Sequence, residues 1–316
     1  MANFRMPIGI AAGGRPAAAC EISPEGVVAA ATAAAGQAPA FAAEGLLPLA
    51  VIPGLTEGNV VDPHAVSAAI RTALGQVSPR TKSVTVVVPD SAVRVFVLDF
   101  DTLPARADEA LPVLRFRLRK SVPFDVEQAG ISYQVLSEGS SRLETQWKVL
   151  AAIMPGPVLA EYESAVRSAG YEPGAVLPVS LAVLAALDSQ EAVLAVHLST
   201  RTLTTSIVAG NDILLYRTVE LPVLSSNRDV VDVSEERKTE IQRSIAVAAA
   251  FFEDRLQVRP HRLLYSGVLP AREFAELVDD PAMAIGEAVP RPMVGMVSTM
   301  GHASLAGVTG ALMGTN

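Results

Sequence analysis

Three strand-like segments followed by a long amphipathic helix dominate the C-terminal half of this 316-residue chain. Gly210-Asn211 predicts a tight turn between the second and third segments, as in an antiparallel meander. The helix is predicted from Glu235 to about Leu256, because apolar residues recur at helical spacing and two glutamates stand at its positive N-terminal end. A strand meander that leads into a helix indicates an α/β fold. The three segments are "AVLAVHLS", "TLTTSIVAG" and "DILLYRTVEL".

The N-terminal half carries a similar pattern. Two strand-like pieces, "IGIA" and "AAACEIS", are separated by Gly13-Gly14-Arg15-Pro16, which predicts a hairpin turn. Asp62 predicts the cap of a helix that has Pro63 in its first position, and "SVTVVVPD" predicts a buried strand. Because both halves combine strands with a helix, the sequence indicates a duplicated architecture. The apolar face of the predicted helix consists of Val66, Ala69, Ile70, Leu74 and Val77.

A third unit lies between the two halves, over residues 93–177. It begins with the strand "RVFVLDF" and a helix from Ala107 to Ser121, and it ends with a helix from Pro157 to Ala169 and the strand "GAVL". A short helix, "PVSLAVLAAL", leads back to the main pattern. The sequence therefore predicts a compact α/β module inserted into the first half. Its two middle strands are "AGISYQVL" and "TQWKVLAAIM".

Composition and charge exclude several classes of function. The formal net charge of -8 disfavours a nucleic-acid partner, because neutralising phosphates requires a concentrated basic surface. The single cysteine, Cys20, cannot form an intramolecular disulfide, and the four histidines are scattered, so no structural zinc site is predicted. No run of about 18 apolar residues occurs, and residues 13–16 interrupt the N-terminal apolar stretch, so we expect neither a membrane-spanning helix nor a secretion signal. These features favour a cytoplasmic protein.

Five segments spread over most of the chain carry a family resemblance. They are "LTEGNVVDPHAVSAAIR", "VTVVVPDSAVRVFVLDFDTLP", "LRFRLRKSVPFDVEQAGISYQVL", "TLTTSIVAGNDILLYRTVEL" and "EIQRSIAVAAAFF". The best of them joins a basic helix to Pro123-Phe124 and to Tyr133 in the next strand. In this order the segments resemble the PilM family of type IV pilus assembly proteins, which are cytoplasmic relatives of FtsA in the actin-like superfamily.

The resemblance implies an actin-like α/β fold, with two RNase H-like subdomains facing a cleft and the small α/β module inserted in the first. It also implies a partner, since PilM-like proteins bind a short cytoplasmic N-terminal peptide of the membrane protein PilN. The corresponding division of the chain is 1–92 for the first part of subdomain 1, 93–177 for the module, 178–190 for the return helix of subdomain 1, 191–296 for subdomain 2, and 297–316 for a C-terminal helix packing back on subdomain 1.

The nucleotide motifs of the actin-like superfamily are only partly retained. By the resemblance, the acidic position of the first hairpin, "GIAAGGRPAAACEI", is Ala11, and the Asp-Ile-Gly of the second is His197-Leu198-Ser199. The Gly-Gly turn expected beside adenosine is replaced by Tyr265-Ser266-Gly267. With both hairpin carboxylates missing, we expect no hydrolysis, no cofactor and no metal. The alternative is a degenerate site for ATP with Mg²⁺, formed by Gly13, Gly14, Ser199, Thr200, Thr202 and Gly267.

These residues also have purely structural interpretations. A glycine pair between strands commonly makes a tight turn, and the threonines that follow Ser199 suit a strand. His197 in a strand is more often hydrogen-bonded than catalytic. The sequence leaves both interpretations open.

A cluster of cations marks one segment of an otherwise acidic chain. On a helix Arg115 and Arg119 share a face opposite a leucine stripe, so the cations are expected to point outward. They form either a solvated helix end or a docking surface for an acidic segment or anionic lipid. The cations are Arg106, Arg115, Arg117, Arg119 and Lys120.

The resemblance places the peptide groove between the module and subdomain 1. Trp147, in a strand of the same module, is predicted to pack in the core. The candidate groove residues are Arg115, Phe116, Arg119, Pro123, Phe124 and Tyr133.

Three hypotheses for the function follow. The leading one is a non-catalytic cytoplasmic scaffold of a type IV pilus or related secretion machine, held at the inner membrane by a PilN-like partner and contacting other pilus assembly proteins. The second is an ATPase or sugar kinase of the same fold, although the strand-end Asp90 is followed by Ser91 rather than by a recognisable catalytic motif. The third is a GspL-like component of type II secretion.

Overall fold

Two five-stranded sheets form the framework of the molecule. The computed structural model describes residues 15–32, 38–137, 147–187, 191–210, 212–222, 225–227, 230–232, 235–290 and 304–313. The strands are β1 (Ala18–Ser23), β2 (Gly26–Ala31), β3 (Ala40–Gly45), β4 (Ser83–Val88), β5 (Arg94–Phe100), β6 (Gly130–Ser137), β7 (Trp147–Met154), β8 (Glu172–Pro178), β9 (Val193–Leu198), β10 (Thr202–Ala209), β11 (Asp212–Glu220), β12 (Ser225–Asn227), β13 (Val230–Asp232), β14 (Arg262–Gly267) and β15 (Ala284–Glu287). The helices are α1 (Pro63–Val77), α2 (Ala107–Leu118), α3 (Gly156–Ser168), α4 (Val179–Ala185), α5 (Glu235–Leu256), α6 (Ala271–Val278) and α7 (Ala306–Leu312).

The first sheet has the strand order β3-β2-β1-β4-β8. Strands β1 to β3 form an antiparallel meander, and β4 and β8 continue the sheet parallel to β1. Helices α1 and α3 cover one face, while α4 and α7 pack against the other. The predicted start of α1 is confirmed, because the Asp62 carboxylate accepts a hydrogen bond from the Ala65 N–H at 2.9 Å.

The second sheet repeats this arrangement in the order β11-β10-β9-β14-β15. Strands β9 to β11 form the predicted meander, β14 and β15 run parallel to β9, and α5 and α6 cover one face. The opposite face packs against α4 and β7. The predicted duplication is therefore confirmed, and each strand of the first sheet has a counterpart in the second.

The inserted module is smaller than the sequence predicts. It consists of the antiparallel sheet β5-β7-β6, with α2 packed on it through Leu114 and Leu118. Trp147 packs against this cluster, as predicted. The prediction that residues 157–177 belong to the module is wrong, because β8 pairs with β4 and α3 packs with α1 in the core of the first half.

Candidate functional site

The two sheets present equivalent hairpins that face each other. Ile22 pairs with Val27 in the first hairpin and Leu198 with Leu203 in the second. Each pair closes a turn of the same length, so Ser23 corresponds to Ser199 and Glu21 corresponds to His197. The first half therefore has an acidic residue at the position where the second half has a histidine.

This register corrects the predicted first hairpin. Strand β1 has β2 on one side and β4 on the other, so its hairpin turn lies at Pro24-Glu25, whereas the turn predicted at residues 13–16 falls partly outside the described residues. The residue of this hairpin that corresponds to His197 is Glu21 rather than Ala11, so the prediction that both hairpin carboxylates are missing is wrong for the first hairpin. Gly13 and Gly14 lie outside the described residues.

A cavity of about 320 Å³ lies between the two hairpins. Of the residues predicted for a nucleotide site, Ser199, Thr200 and Gly267 line it. Thr202 is buried, and its hydroxyl group lies 2.8 Å from the Ser199 hydroxyl. The first hairpin contributes Glu21 and the neighbouring Glu25 to the wall, which gives the cavity an acidic side where a nucleotide site needs donors.

The second hairpin satisfies its own backbone groups. The Ser199 hydroxyl accepts hydrogen bonds from the N–H groups of Arg201 and Thr202 at 3.2 and 2.9 Å. On the other side, the buried guanidinium of Arg237 on α5 donates to the carbonyl oxygens of Ser199 and Thr200 at 2.8 and 2.9 Å. N–H groups of such a hairpin are the donors that would bind phosphate oxygens, and two of them are already occupied.

Glu21 is a buried acid in the wall of this cavity. Burial, together with the negative charges of Glu25 and Asp90, raises the pKa of Glu21 to about 8. Its Oε2 atom is buried without a hydrogen-bond partner among the described residues, and it faces Gly307 on α7 so closely that a Cβ at Gly307 would overlap it. Glu21 is thus protonated near neutral pH, which makes it a poor ligand for Mg²⁺.

The predicted adenosine turn has a structural role. Tyr265 is buried and stacks on Phe274 with ring centroids 4.1 Å apart, so it does not stand in the cavity. Gly267 ends β14 with φ of +147°, and a Cβ there would overlap the backbone of Leu198. His197 lies 2.9 Å from the Ser266 hydroxyl through its Nδ1 atom, and burial lowers its pKa.

Asp90, which follows β4, links the two halves. Its Oδ1 atom accepts hydrogen bonds from the Ser180 N–H and hydroxyl at 3.2 and 2.7 Å, and its Oδ2 atom accepts one from the Thr204 hydroxyl at 2.8 Å. Ser180 also contacts the hydroxyl of Tyr216, whose pKa is raised well above its usual value by burial and by the Asp90 charge. Both carboxylate oxygens are occupied and only 2% of Asp90 is exposed, so this geometry suits a structural link rather than a general base.

The candidate groove residues of the module fall into two groups. Arg115 donates to the carbonyl oxygens of Val126 and Ala129, and Arg119 pairs with Glu127 at 2.7 Å. The prediction that the cations all point outward is therefore wrong for Arg115. Phe124 and Tyr133 are half-buried against the core of the module, whereas Phe116 and Pro123 are exposed.

The described residues contain neither a metal-binding cluster nor a helix that could span a membrane. No three histidine, cysteine, aspartate or glutamate side chains in this part of the chain come together in a way that could hold a metal ion. None of its helices has the length and apolar character needed to cross a membrane.

Comparison with solved structures reveals the fold. A chain of the PilM-PilN type IV pilus biogenesis complex matches 95% of this chain and 98% of its own length, with a TM-score of 0.69 and 18% sequence identity. The cytoplasmic domain of EpsL, an inner-membrane component of the type II secretion system of Vibrio cholerae, matches 95% of this chain and 95% of its own length, with a TM-score of 0.51 and 13% sequence identity. No protein-family model and no curated protein sequence matches the chain. The duplicated sheets, the inserted module and these matches confirm the predicted fold class, so the chain is a protein of the actin-like fold.

Proposed function

We propose that this chain is a non-catalytic scaffold of a type IV pilus or related secretion machine. In this proposal it works in the cytoplasm and is held at the inner membrane by binding the N-terminal cytoplasmic peptide of a PilN-like membrane protein. The fold shared with a chain of the PilM-PilN complex and with the cytoplasmic domain of EpsL supports this assignment.

The closed second hairpin is the observation that carries the proposal. The N–H groups of Arg201 and Thr202 bind the Ser199 hydroxyl, and Arg237 fixes the carbonyl groups of the same turn. A triphosphate would have to displace these N–H groups from the Ser199 hydroxyl, and the opposite wall of the cavity carries Glu25 and the protonated Glu21 rather than phosphate-binding cations. The free energy of phosphate binding is thereby reduced on both sides, which favours a scaffold without a bound nucleotide.

We place the peptide site between the module and the first half. The connection between β3 and α1 and the connection between α2 and β6 both contact α3 in this region. Gly58 and Val60 donate their N–H groups to the Glu161 carboxylate at 2.8 and 2.9 Å, and Gly156 lies against the carbonyl of Gln128. Phe116, Pro123 and Phe124 would provide apolar contacts on the module side.

Isothermal titration tests this proposal. The probe is a synthetic peptide with the cytoplasmic N-terminus of a PilN-like protein from the same organism. We expect saturable binding that weakens at least about tenfold in Phe124→Ala, while Val258→Ala, an exposed residue after α5, binds as the wild type does. Circular dichroism verifies that both variants are folded. An absence of binding at high peptide concentration would contradict the proposal.

A nucleotide-binding function is the second candidate, and Glu21 favours it. An acidic residue at this hairpin position is what a site for ATP with Mg²⁺ needs, and Glu21 lines the cavity, although its raised pKa means that Mg²⁺ would have to displace its proton. ATP with Mg²⁺ at a hundred times its dissociation constant would stabilise the protein by about 2.7 kcal/mol. Under the scaffold proposal we expect no shift of the melting temperature with ATP and Mg²⁺, whereas a shift that is lost in Glu21→Ala would support this second candidate.

A further inference from the structure

Two buried carboxyl oxygens belong to residues in the wall of the cavity between the hairpins. They are Oε2 of Glu21 and Oε1 of Glu25, and neither atom has a hydrogen-bond partner among the described residues. Both side chains line the cavity. A buried polar atom without a partner is costly, and a donor on a molecule held in the cavity would satisfy it.

His197 is a third buried polar group in this wall. It is 7% exposed, and its Nδ1 atom lies 2.9 Å from the Ser266 hydroxyl, whereas its Nε2 atom forms no hydrogen bond within the described part of the chain. In the tautomer whose Nδ1 donates to Ser266, Nε2 is an acceptor. Burial lowers the pKa of His197, so the ring is neutral at neutral pH and adds no positive charge to the cavity.

The rest of the wall is largely apolar. The cavity volume of about 320 Å³ lies at the lower end of the range that small-molecule sites occupy. A ligand of this size would therefore contact both the acidic side and hydrocarbon surface. The apolar wall is formed mainly by Val28, Pro53, Pro89, Val179 and Val268.

The charge of the cavity favours a cation. Glu21 feels the negative charges of Glu25 and of Asp90, which lies between the wall residues Pro89 and Ser91. Arg201 is the single cation among the described residues that line the cavity, and it is exposed to solvent. A positively charged ligand would relieve the repulsion among the acids, whereas an anion would add to it.

An organic cation suits this wall better than a metal ion. Glu21, Glu25 and His197 do not come together as a metal-binding cluster in the described part of the chain. An ammonium group carries several N–H donors, and its hydrogen bonds to carboxylates are among the strong ones. Methylene groups attached to it would bury apolar surface against the valines and prolines of the wall.

We propose that the cavity between the two hairpins binds a small aliphatic amine with two or more ammonium groups. The ammonium groups donate to Glu21 and Glu25, and the methylene chain packs along the apolar wall. This inference goes beyond the scaffold assignment and does not depend on it, because the proposed peptide site lies at the module.

Isothermal titration with putrescine and with spermidine tests the site at physiological ionic strength, where binding of cations to exposed acids is weak. We expect saturable binding of one amine per chain, with a dissociation constant that rises at least about tenfold in Glu21→Gln and in Glu25→Gln. Glu57→Gln, at an exposed acid outside the cavity wall, is the matched control and should bind as the wild type does. Circular dichroism verifies that the variants are folded.

The proton on Glu21 provides a second measurement. Without the amine, Glu21 is protonated near neutral pH, because burial and the charges of Glu25 and Asp90 raise its pKa to about 8. An ammonium group beside Glu21 favours the carboxylate, so the proton passes to the buffer as the amine binds. The heat of binding should therefore change with the ionisation enthalpy of the buffer in the wild type and not in Glu21→Gln.

Three outcomes would overturn the proposal. The first is an absence of saturable binding of either amine. The second is binding that either glutamine substitution in the wall leaves unchanged, because the ammonium groups would then lie elsewhere. The third is equally tight binding of butanediol, the neutral analogue of putrescine, because charge would then not select the ligand. The peptide titration can succeed or fail independently of each of these results.

Discussion

Arg237 shows what one buried cation contributes to this molecule. Only 1% of the residue is exposed, yet its guanidinium donates to the carbonyl groups of Ser199, Thr200 and Pro222. Burial lowers its pKa to about 10, so the group keeps its charge at neutral pH. Hydrogen bonds from a charged donor are stronger than neutral ones, and three of them converge here.

Replacing Arg237 by alanine should lower the free energy of unfolding by about 3 kcal/mol or more, because three carbonyl groups lose a buried charged donor. Urea unfolding measures this. Arg243→Ala on the same helix is the control, since Arg243 is exposed and pairs with Glu240 at the surface. Its expected cost is below about 1 kcal/mol. Equal effects of the two substitutions would contradict the role assigned to Arg237.

Glu21 makes the stability depend on pH. Its pKa rises from an ordinary 4.5 to about 8 in the folded protein, chiefly through burial. Between these two values the folded state keeps a proton that the unfolded state releases, so the free energy of unfolding falls as pH rises from about 4.5 through about 8. We expect Glu21→Gln to reduce this decline, and therefore to stabilise the protein more at pH values near 8 than near 5. Thermal melts of wild type, Glu21→Gln and the exposed control Glu57→Gln measure it, and a decline unchanged in Glu21→Gln would refute the assignment.

At the scale of elements, the end of β14 depends on the absence of a side chain. Gly267 adopts a φ of +147° against the Leu198 backbone, which no Cβ can approach. Gly286 on the adjacent strand β15 is the matched site, because a Cβ added there would have no other atom within 4 Å. Gly267→Ala should cost about 3 kcal/mol in urea unfolding, and Gly286→Ala less than about 1 kcal/mol. If Gly267→Ala lowered the free energy of unfolding only slightly, the close approach to Leu198 would not explain this glycine, and the turn beside a bound ligand that the sequence suggests would remain as its role.

Most elements can be predicted from sequence because their patterns are strong. The cap at Asp62, the run of valines in β4 and the bounds of α5 all agree with the structure. Strands β2 and β3 are not predicted from sequence, because "GVVAAA" and "AFAAEG" are rich in alanine, which has low β-propensity. Since both faces of their sheet are covered, these strands also lack the alternation of polar and apolar residues that would mark them. Without β2, the glycine pair at Gly13-Gly14 is the strongest turn signal near β1, and it draws attention away from Glu21.

The contacts of the site carry weaker sequence signals. Aligning "EISPEGVV" with "HLSTRTLT" would place Glu21 opposite His197, since the two turns have equal length. Arg237 leaves no comparable signal, because its partners are backbone carbonyl groups, which any residue provides. From sequence, Asp90 is only a poor catalytic candidate, since Ser91 follows it instead of a recognisable catalytic motif. Its structural role is not visible there, because its partners Ser180 and Thr204 come from distant parts of the chain.

At the scale of the whole molecule, Asp90 joins the two halves. It follows β4 of the first half and binds the hydroxyl group of Thr204 on β10 of the second half. Asp90→Ala would leave the Ser180 and Thr204 hydroxyls without their acceptor, so we expect a loss of about 3 kcal/mol and faster hydrogen exchange in α4 and β10. Asp99→Ala, at an exposed position of β5, should change neither. Unaltered exchange in Asp90→Ala would mean that the halves are held together without this link.

The closed hairpin also limits what a single substitution could achieve. Changing His197 to aspartate would place an acidic residue in the second half at the position that Glu21 has in the first, but the N–H groups of Arg201 and Thr202 would still be directed at the Ser199 hydroxyl. Arg237 would still hold the carbonyl groups from behind. Forming a phosphate site would therefore require coordinated changes on β9, in the turn and on α5, rather than one substitution.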